Sequence, residues 1–352
     1  MITFLHVKYF LNYTPSKQQK VKVGIQLKSN SNQDKVAKEQ DLRQWMNEKE
    51  KNYRKDKDRI KSICKKYNVK HKKSFGKNNI YVDRNHKIGF CTHAKVGSST
   101  WRYHMRDLLP PKIFEKLAKK YKLTAETMPL KWLGPMLPYY AIPQNTVSGG
   151  LSNRISPYSI NNFLSSNQIL SFSFVRHPFE RLVSAYNDKF EIQRYRFLKK
   201  YEWWFRKKEV SFSSFVDLVL YQYRTSCYPN STPASRIRTN LANENCEYKV
   251  NIHWRPFAFK CSYCDINYDL IGRMETWNDD INYIIRKRGL ENVLPLQKTN
   301  ISHHSSKEHI HRSTKEMTKE YFNTLNQKQK EDLYHMFRLD FEMFNYDHKI
   351  YF

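Results

Sequence analysis

The stretch SFSFVRHPFERLVSAYNDKF, residues 171 to 190, decides the fold. Leu170, Phe172, Phe174 and Val175 form a short β-prone run. Pro178 then removes a backbone donor and steers His177 away from the α region, so a strand ends there. Phe179, Leu182, Val183 and Tyr186 recur at helical spacing, which predicts a helix starting near Phe179 with Arg181, Ser184 and Asp188 around its other faces. In open α/β sheets a strand, tight turn and helix present backbone donors and a helix N-terminus at the carboxyl ends of the strands, a favourable place for an anion. Arg176 at the strand end and Ser184 two turns into the helix would grip one phosphate, the arginine by its planar fork and the serine by its hydroxyl. The same unit is common scaffolding, so it needs a second site before it means a function.

The rest of the composition narrows the classes. The chain has 352 residues, 39% hydrophobic and 15% aromatic, enough to bury a large core as one domain with an appendage. Lys and Arg number 62 against 33 Asp and Glu, and this formal charge of +29 implies an acidic partner: nucleic acid, an anionic membrane surface or a polyanionic substrate. Residues 1–33 are polar and patternless and are expected to be disordered. The segment from Asp34 to Tyr67 reads as a solvated basic helix, a stem extending to about residue 85 ahead of a body at 86–352. No apolar run approaches the roughly 20 residues that span a bilayer. MITFLHVKYFL is short and broken by His6 and Lys8, so neither a signal peptide nor an anchor is visible. Six cysteines and sequons at Asn12, Asn230 and Asn300 are compatible with a secretory-pathway lumen.

Within the body, Ile88, Phe90 and Thr92 alternate as a strand. The loop HAKVGSS follows, and then TWRYHMRDLL, whose Trp101, Met105 and Leu108 share a helical face. Here is the second site. Lys95 brings a mobile charge, Gly97 lets backbone approach a ligand, and Ser98, Ser99 and Thr100 bring hydroxyls and amides at a helix start. The lysine precedes the small residues and G-x-x-x-x-G-K-[ST] is absent, which argues against an ordinary ATPase. Two such loops about 80 residues apart suit a nucleotide phosphorylated at both ends of its ribose. The stretch 109–165, with seven prolines and Gly149-Gly150, is expected to be largely irregular and to face substrate. Farther on come the aromatic-basic run RYRFLKKYEWWFRKK, a helix in SFSSFVDLVLYQY capped by Ser211 or Ser213, and closing helices around 278–287 and 315–337.

AKVGSSTW and VRHPFERLVSAYNDKF resemble the 5′-phosphosulfate and 3′-phosphate motifs of the Golgi carbohydrate sulfotransferases, which include chondroitin, dermatan and N-acetylgalactosamine 4-O-sulfotransferases. HWRPFAFKCSYCDINYDLIGRMET and LYHMFRLDFEMFNYD extend the resemblance over about residues 86 to 347. The family's first loop usually reads Pro-Lys-Val-Ala-Cys-Thr-Asn-Trp; this chain departs from it at Ala94, Gly97, Ser98, Ser99 and Thr100. The resemblance implies an α/β, P-loop-like sulfotransferase fold, with a central mainly parallel sheet flanked by helices and preceded by the basic helical stem. It implies 3′-phosphoadenylyl sulfate as co-substrate and a glycan acceptor, either a glycosaminoglycan or a GalNAc-bearing chain. It also implies a type II protein of the Golgi lumen whose anchor is not visible here. Cofactor contacts would come from Ala94, Lys95, Val96, Gly97, Ser98, Ser99 and Thr100 in the first loop. In the second they would come from Arg176, His177, Pro178, Phe179, Glu180, Arg181, Leu182, Val183 and Ser184.

Catalysis is assigned to Lys95, against the charge on the leaving phosphate oxygen, and to His253 as the base for the acceptor hydroxyl. A His-Trp pair is more often packing than chemistry, and His177 is equally a corner filler. Glu180 and Arg181 are expected to make structural pairs. Cys261-x-x-Cys264 beside His253 is half a zinc site with no second pair at zinc spacing, so disulfides with Cys227 or Cys246 are expected and no metal. ISHHSSKEHIHR, 301–312, reads as a polar loop over the site, with Arg312 and Ser313 where sulfotransferases close over the donor. Two other classes compete. A nucleic-acid-binding protein would explain the charge and the aromatic-basic run but has no recognised binding motif. An inactive glycan-binding relative would be expected to lose Lys95 or Arg176, and both are present.

Overall fold

The computed structural model describes residues 31–69, 75–76, 80–121, 154–205, 210–227, 250–297 and 313–352. Strand β5 (Leu170–Val175) is the hub, and all six of its residues are buried. A strand enclosed on both faces is the usual state of a central parallel strand. It runs parallel to β3 (Ile88–Cys91) on one side, with Phe90 opposite Phe172, and to β6 (Leu270–Arg273) on the other, with Val175 opposite Arg273. β2 (Ile80–Asp83) closes the β3 edge as the antiparallel strand of a sheet ordered β2-β3-β5-β6. A separate small ladder pairs β1 (Phe75–Gly76) with β4 (Arg154–Ile155).

Each parallel strand feeds a helix: β3 leads to α2 (Ser98–Asp107), β5 to α5 (Pro178–Tyr186) and β6 to α8 (Trp277–Lys287). The helices pack by aromatic contact. The Trp101 ring of α2 lies 4.6 Å from Phe172, and Trp277 of α8 lies 4.6 Å from Phe174. A second core forms where α5 meets α7 (Phe212–Cys227), α9 (Thr314–Asn323) and α10 (Gln327–Phe344), around Phe179, Phe215, Trp254 and Phe337.

Three expectations change. The 109–165 stretch is not largely irregular where it is described: α3 (Pro111–Tyr121) and α4 (Pro157–Ser166) each begin on a proline, whose fixed φ and missing N–H suit a first helical position. The single helix expected over 315–337 is two helices. It breaks after Asn323, and Asn326 restarts the chain as α10 with a reciprocal capping box to Gln329. The cysteine pairing also differs: Cys91 joins Cys261 and Cys64 joins Cys264, across separations of 170 and 200 residues. Both sulfurs of the Cys-x-x-Cys pair are therefore engaged with partners other than Cys227 and Cys246. On the chain-entropy account a ring of that size stabilises the fold by roughly 5 kcal/mol.

The basic helix α1 runs Ser31–Lys66 and its second half is clamped to the body. Lys49 Nζ and Tyr53 OH donate to the buried Asp280 at 2.9 and 2.7 Å, and Arg273 donates to Asp56 at 3.0 Å. Ser211 caps α7, accepting from the Ser214 amide.

Candidate active site

Because β3 and β5 are parallel neighbours in register, the loops that follow them open at the same edge of the sheet. The first loop turns on two left-handed residues, Lys95 at φ 69° and Gly97 at φ 70°. Alternation of this kind curls successive amides into an anion-binding concavity. Gly97 is also the N-cap of α2 with no side-chain cap, so the first-turn amides from Ser98 onward face the loop without intrahelical acceptors. Glycine is required at 97 on two grounds: the left-handed φ, and a Cβ that would lie 2.1 Å from the Trp277 ring. Val96 is buried beneath the loop, while Ala94, Ser98 and Thr100 are half-buried and Ser99 is exposed.

The second loop is a riveted corner. His177 caps α5, its Nδ1 accepting from the Phe179 amide, and its Nε2 donates to the Asp347 carbonyl at 3.0 Å. Burial holds this imidazole below the ordinary histidine range, so it is neutral and structural. Pro178, Phe179, Leu182 and Val183 have their side chains in the core. Glu180 accepts from Tyr351 OH at 2.7 Å and lies 3.7 Å from the Arg176 guanidinium. Arg181 is buried. It donates to the carbonyls of Ala94, Arg255 and Ile252 at 3.1, 2.6 and 3.0 Å and lies 4.3 Å over the Phe257 ring, with burial lowering its pKa to about 10. It ties the second corner to the first loop and to the loop of His253. Among these positions Arg176, Glu180 and Ser184 are half-buried, and Glu180 is taken up by Tyr351 and Arg176.

The charges of both loops meet. Burial lowers the Lys95 ammonium below the usual lysine range, opposed by Asp188, and the neighbouring cations Lys189 and Arg176 push it further down. Lys95 Nζ donates to Asp188 at 3.1 Å. Lys189 donates to the same oxygen at 2.9 Å, and Gln193 donates to the other carboxylate oxygen at 2.8 Å. Burial raises the Asp188 carboxyl, but these bonds outweigh it and hold it below the ordinary range. His253 belongs to the same cluster: burial first, then Lys189 and Lys95, take its pKa down to about 3, against Asp188. Its Nδ1 is buried with no hydrogen-bond partner.

Asp188, Lys189 and Trp277 were not read as site residues from the sequence. The sequence pattern continues a regular helix through Asp188, whereas Asn187–Ile192 form a π-turn from which Asp188 reaches Lys95. The adjacent Asp-Lys inside the motif was the available signal. Ser313 caps α9 in a capping box with Glu316; Arg312 and the 301–312 loop lie outside the described residues.

The sequence model of the sulfotransferase family matches residues 78–347, a span that holds both loops, Asp188, His253 and Trp277. The chain belongs to the sulfotransferase family. Among curated relatives it is similar to carbohydrate sulfotransferase 11 of Rattus norvegicus, 28% identical over 283 residues that cover 76% of this chain and 66% of that protein. It is also similar to carbohydrate sulfotransferase 9 of Homo sapiens, 27% identical over 82% of this chain and 58% of the relative. Carbohydrate sulfotransferase 8 of Mus musculus is 26% identical over 76% and 56%. The chain thus spans just under two thirds of the first relative's length and less of the others. No solved structure matches significantly. With the family in place, the mainly parallel sheet flanked by helices is the expected sulfotransferase α/β architecture.

Proposed function

We propose that this sulfotransferase is a carbohydrate O-sulfotransferase, moving the sulfuryl group of 3′-phosphoadenylyl sulfate to a sugar hydroxyl of a chondroitin-like, dermatan-like or other GalNAc-containing glycan. The observation that carries this reading is the approach of Lys95 and Arg176, partly buried and from two loops at one sheet edge, to within reach of each other's charge. The residues suit the donor. The curled amides around Gly97 fit its 5′-phosphosulfate, and Arg176 with Ser184 fits the 3′-phosphate that ATP lacks. In the transfer, the bond from sulfur to the bridging phosphate oxygen breaks and a new sulfur–oxygen bond forms to the sugar. Adenosine 3′,5′-bisphosphate leaves, and the hydroxyl proton passes to His253. Lys95 and the α2 amides stabilise charge on the leaving oxygen. His253 is a weak base while it is buried beside Lys189 and Lys95. The donor's negative charges raise its pKa toward the useful range, so its basicity is coupled to donor binding.

The two disulfides support a lumen of the secretory pathway, and by resemblance the Golgi, as the site of action. Among the described residues no helix is long and apolar enough to cross a membrane. The test is transfer of radiolabelled sulfate from the donor to a panel of desulfated glycans, with Arg176→Ala alongside. Label on one glycan with the wild type and not with the variant is the expected outcome. No label on any glycan, together with no nucleotide binding, would sink the proposal.

A further inference from the structure

The aromatic-basic run of residues 194 to 205 has no part in the chemistry above, yet it begins one side chain from it. α6 (Arg194–Lys200) turns Phe197 inward, where its ring lies 6.3 Å from His253 and 5.2 Å from the Lys189 ammonium. Beyond α6, Asn251 donates to Tyr201 OH at 2.8 Å while accepting from the His253 amide, so the end of the helix is fixed to the His253 loop. The outward side is different in kind. Arg196, Lys199 and Lys200 are exposed and make no ion pair among the described residues, and Tyr195 is 83% exposed. Next to them Trp203, 60% exposed, leans on Tyr221 of α7 at 5.8 Å, and Trp204 closes the group at 4.8 Å from the same tyrosine. An exposed tryptophan backed by a half-buried one, beside cations that make no ion pair, is rare on a surface with no partner.

We propose that this face is a docking strip for an acidic polysaccharide, which it leads toward His253. The inference rests on the sulfuryl-transfer reading for its acceptor role. The chemistry is specific. Trp203, Trp204 and Tyr221 meet at 77°, 55° and 39°, an aromatic cluster in which Trp204 supports the exposed Trp203 and Tyr221 rings, each suited to the C–H face of a pyranose. Arg196, Lys199 and Lys200 are placed for carboxylates or sulfates along the chain. A single-stranded nucleic acid would be expected to use rings presented in succession for successive bases, and these rings crowd one corner instead.

The experiment uses the full chain, Trp203→Ala/Tyr221→Ala and Lys199→Ala/Lys200→Ala. Four measurements are made: affinity for adenosine 3′,5′-bisphosphate, the salt concentration that elutes each protein from immobilised desulfated chondroitin, the same from single-stranded DNA, and the steady-state kinetics of sulfate transfer to the polysaccharide. The expected result is retention of the wild type on the polysaccharide and release of both variants at lower salt. The polysaccharide KM should rise roughly tenfold, with nucleotide affinity and kcat unchanged. The lysine variant changes only exposed side chains, so it decides the matter if the aromatic variant fails to fold. Equal elution of variants and wild type, no retention of the wild type, or a loss confined to DNA would each overturn the strip. Absent nucleotide binding by the wild type would instead sink the transferase reading, and the elution shift would still judge the strip.

Discussion

The two anion loops arise from equivalent strands and are built by opposite means. The Lys95–Thr100 loop is short and departs from the family's usual residues, and it holds an unusual backbone: two left-handed residues kept in place from outside by Trp277 and by Asp188. The Arg176–Ser184 corner is the longer and more regular motif, but most of it faces inward, with His177, Phe179, Arg181, Leu182 and Val183 all buried. The more recognisable motif is thus mainly scaffold, and the more divergent one holds the groups suited to the reacting end of the donor. Motif length measures how many neighbours a segment must satisfy, which is a different quantity from how much of it touches ligand.

The contrast breaks most visibly at Arg181. Substituting Met leaves the carbonyls of Ala94, Ile252 and Arg255 without their donor, at about 1–3 kcal/mol for the buried Arg255 carbonyl and less for the two part-buried ones, and removes a buried charge-assisted tie between three loops, against a total stability of about 5–15 kcal/mol. Arg181→Met is expected to abolish secretion of folded protein, and normal yield with a normal melting temperature would refute its role as the rivet. Gly97→Ala tests the other loop. The left-handed φ costs about 1 kcal/mol in an alanine, and the new methyl must displace Trp277 from Phe174. The fold should survive, while calorimetry should show donor affinity down on the order of 100-fold, about 2.7 kcal/mol.

Much of this was legible in the sequence for physical reasons. β5 and α5 declared themselves because a proline fixed their junction and hydrophobic period switched from 2 to 3.6 across it. The Lys95 loop was legible because glycine followed by small hydroxyl residues has few other uses before a helix. The disulfides were not legible, since connectivity depends on which strands become neighbours: Cys91 meets Cys261 only once β3, β5 and the segment before β6 are assembled. Asp188 was hidden by the π-turn, a phase shift that leaves the hydrophobic pattern intact. The docking of α1 was hidden because its few core-facing residues, Trp45, Met46, Tyr53, Ile60 and Ile63, are scattered among many charges, and a charged helix reads as solvated until its ionic partners Asp280 and Arg273 are known.

Two substitutions in the charge cluster should move donor affinity in opposite directions. On the proposed reading Arg176→Ala removes a charge-assisted contact to the 3′-phosphate; it should weaken adenosine 3′,5′-bisphosphate roughly tenfold or more and erase discrimination against adenosine 5′-phosphate, with little change in melting temperature. Asp188→Asn removes the anion that occupies Lys95 and Lys189 before the donor arrives, so the same titration should show binding tightened a few-fold at a stability cost of about 1 kcal/mol. Weaker binding by Asp188→Asn would mean that the carboxylate orients Lys95 and does not compete for it.

The smallest expected effect is the pH dependence of stability without nucleotide. Burial lowers the pKa values of His93, His177 and His253 below the unfolded value of 6.5, reaching about 3 for His253. Below pH 6.5 the unfolded chain binds protons that the folded imidazoles refuse, so stability is lost progressively as pH falls from about 6.5 toward 3. Asp340 works the other way. Burial raises its carboxyl to about 6, so the folded state takes up a proton there before the unfolded chain does, near 3.8. His335 and His348 are lowered by burial as well, so five histidines against one carboxyl leave a net loss, at most about 1 kcal/mol for each of the three most buried between pH 6.5 and 5.5. The melting temperature should therefore drop by a few degrees over that interval. His253→Gln should flatten part of the slope, and saturating adenosine 3′,5′-bisphosphate should flatten it too, because an anion in the cluster moves the pKa of His253 back toward its ordinary value. An unchanged slope in both experiments would separate His253 from the cation cluster and remove it as the base that takes the acceptor proton.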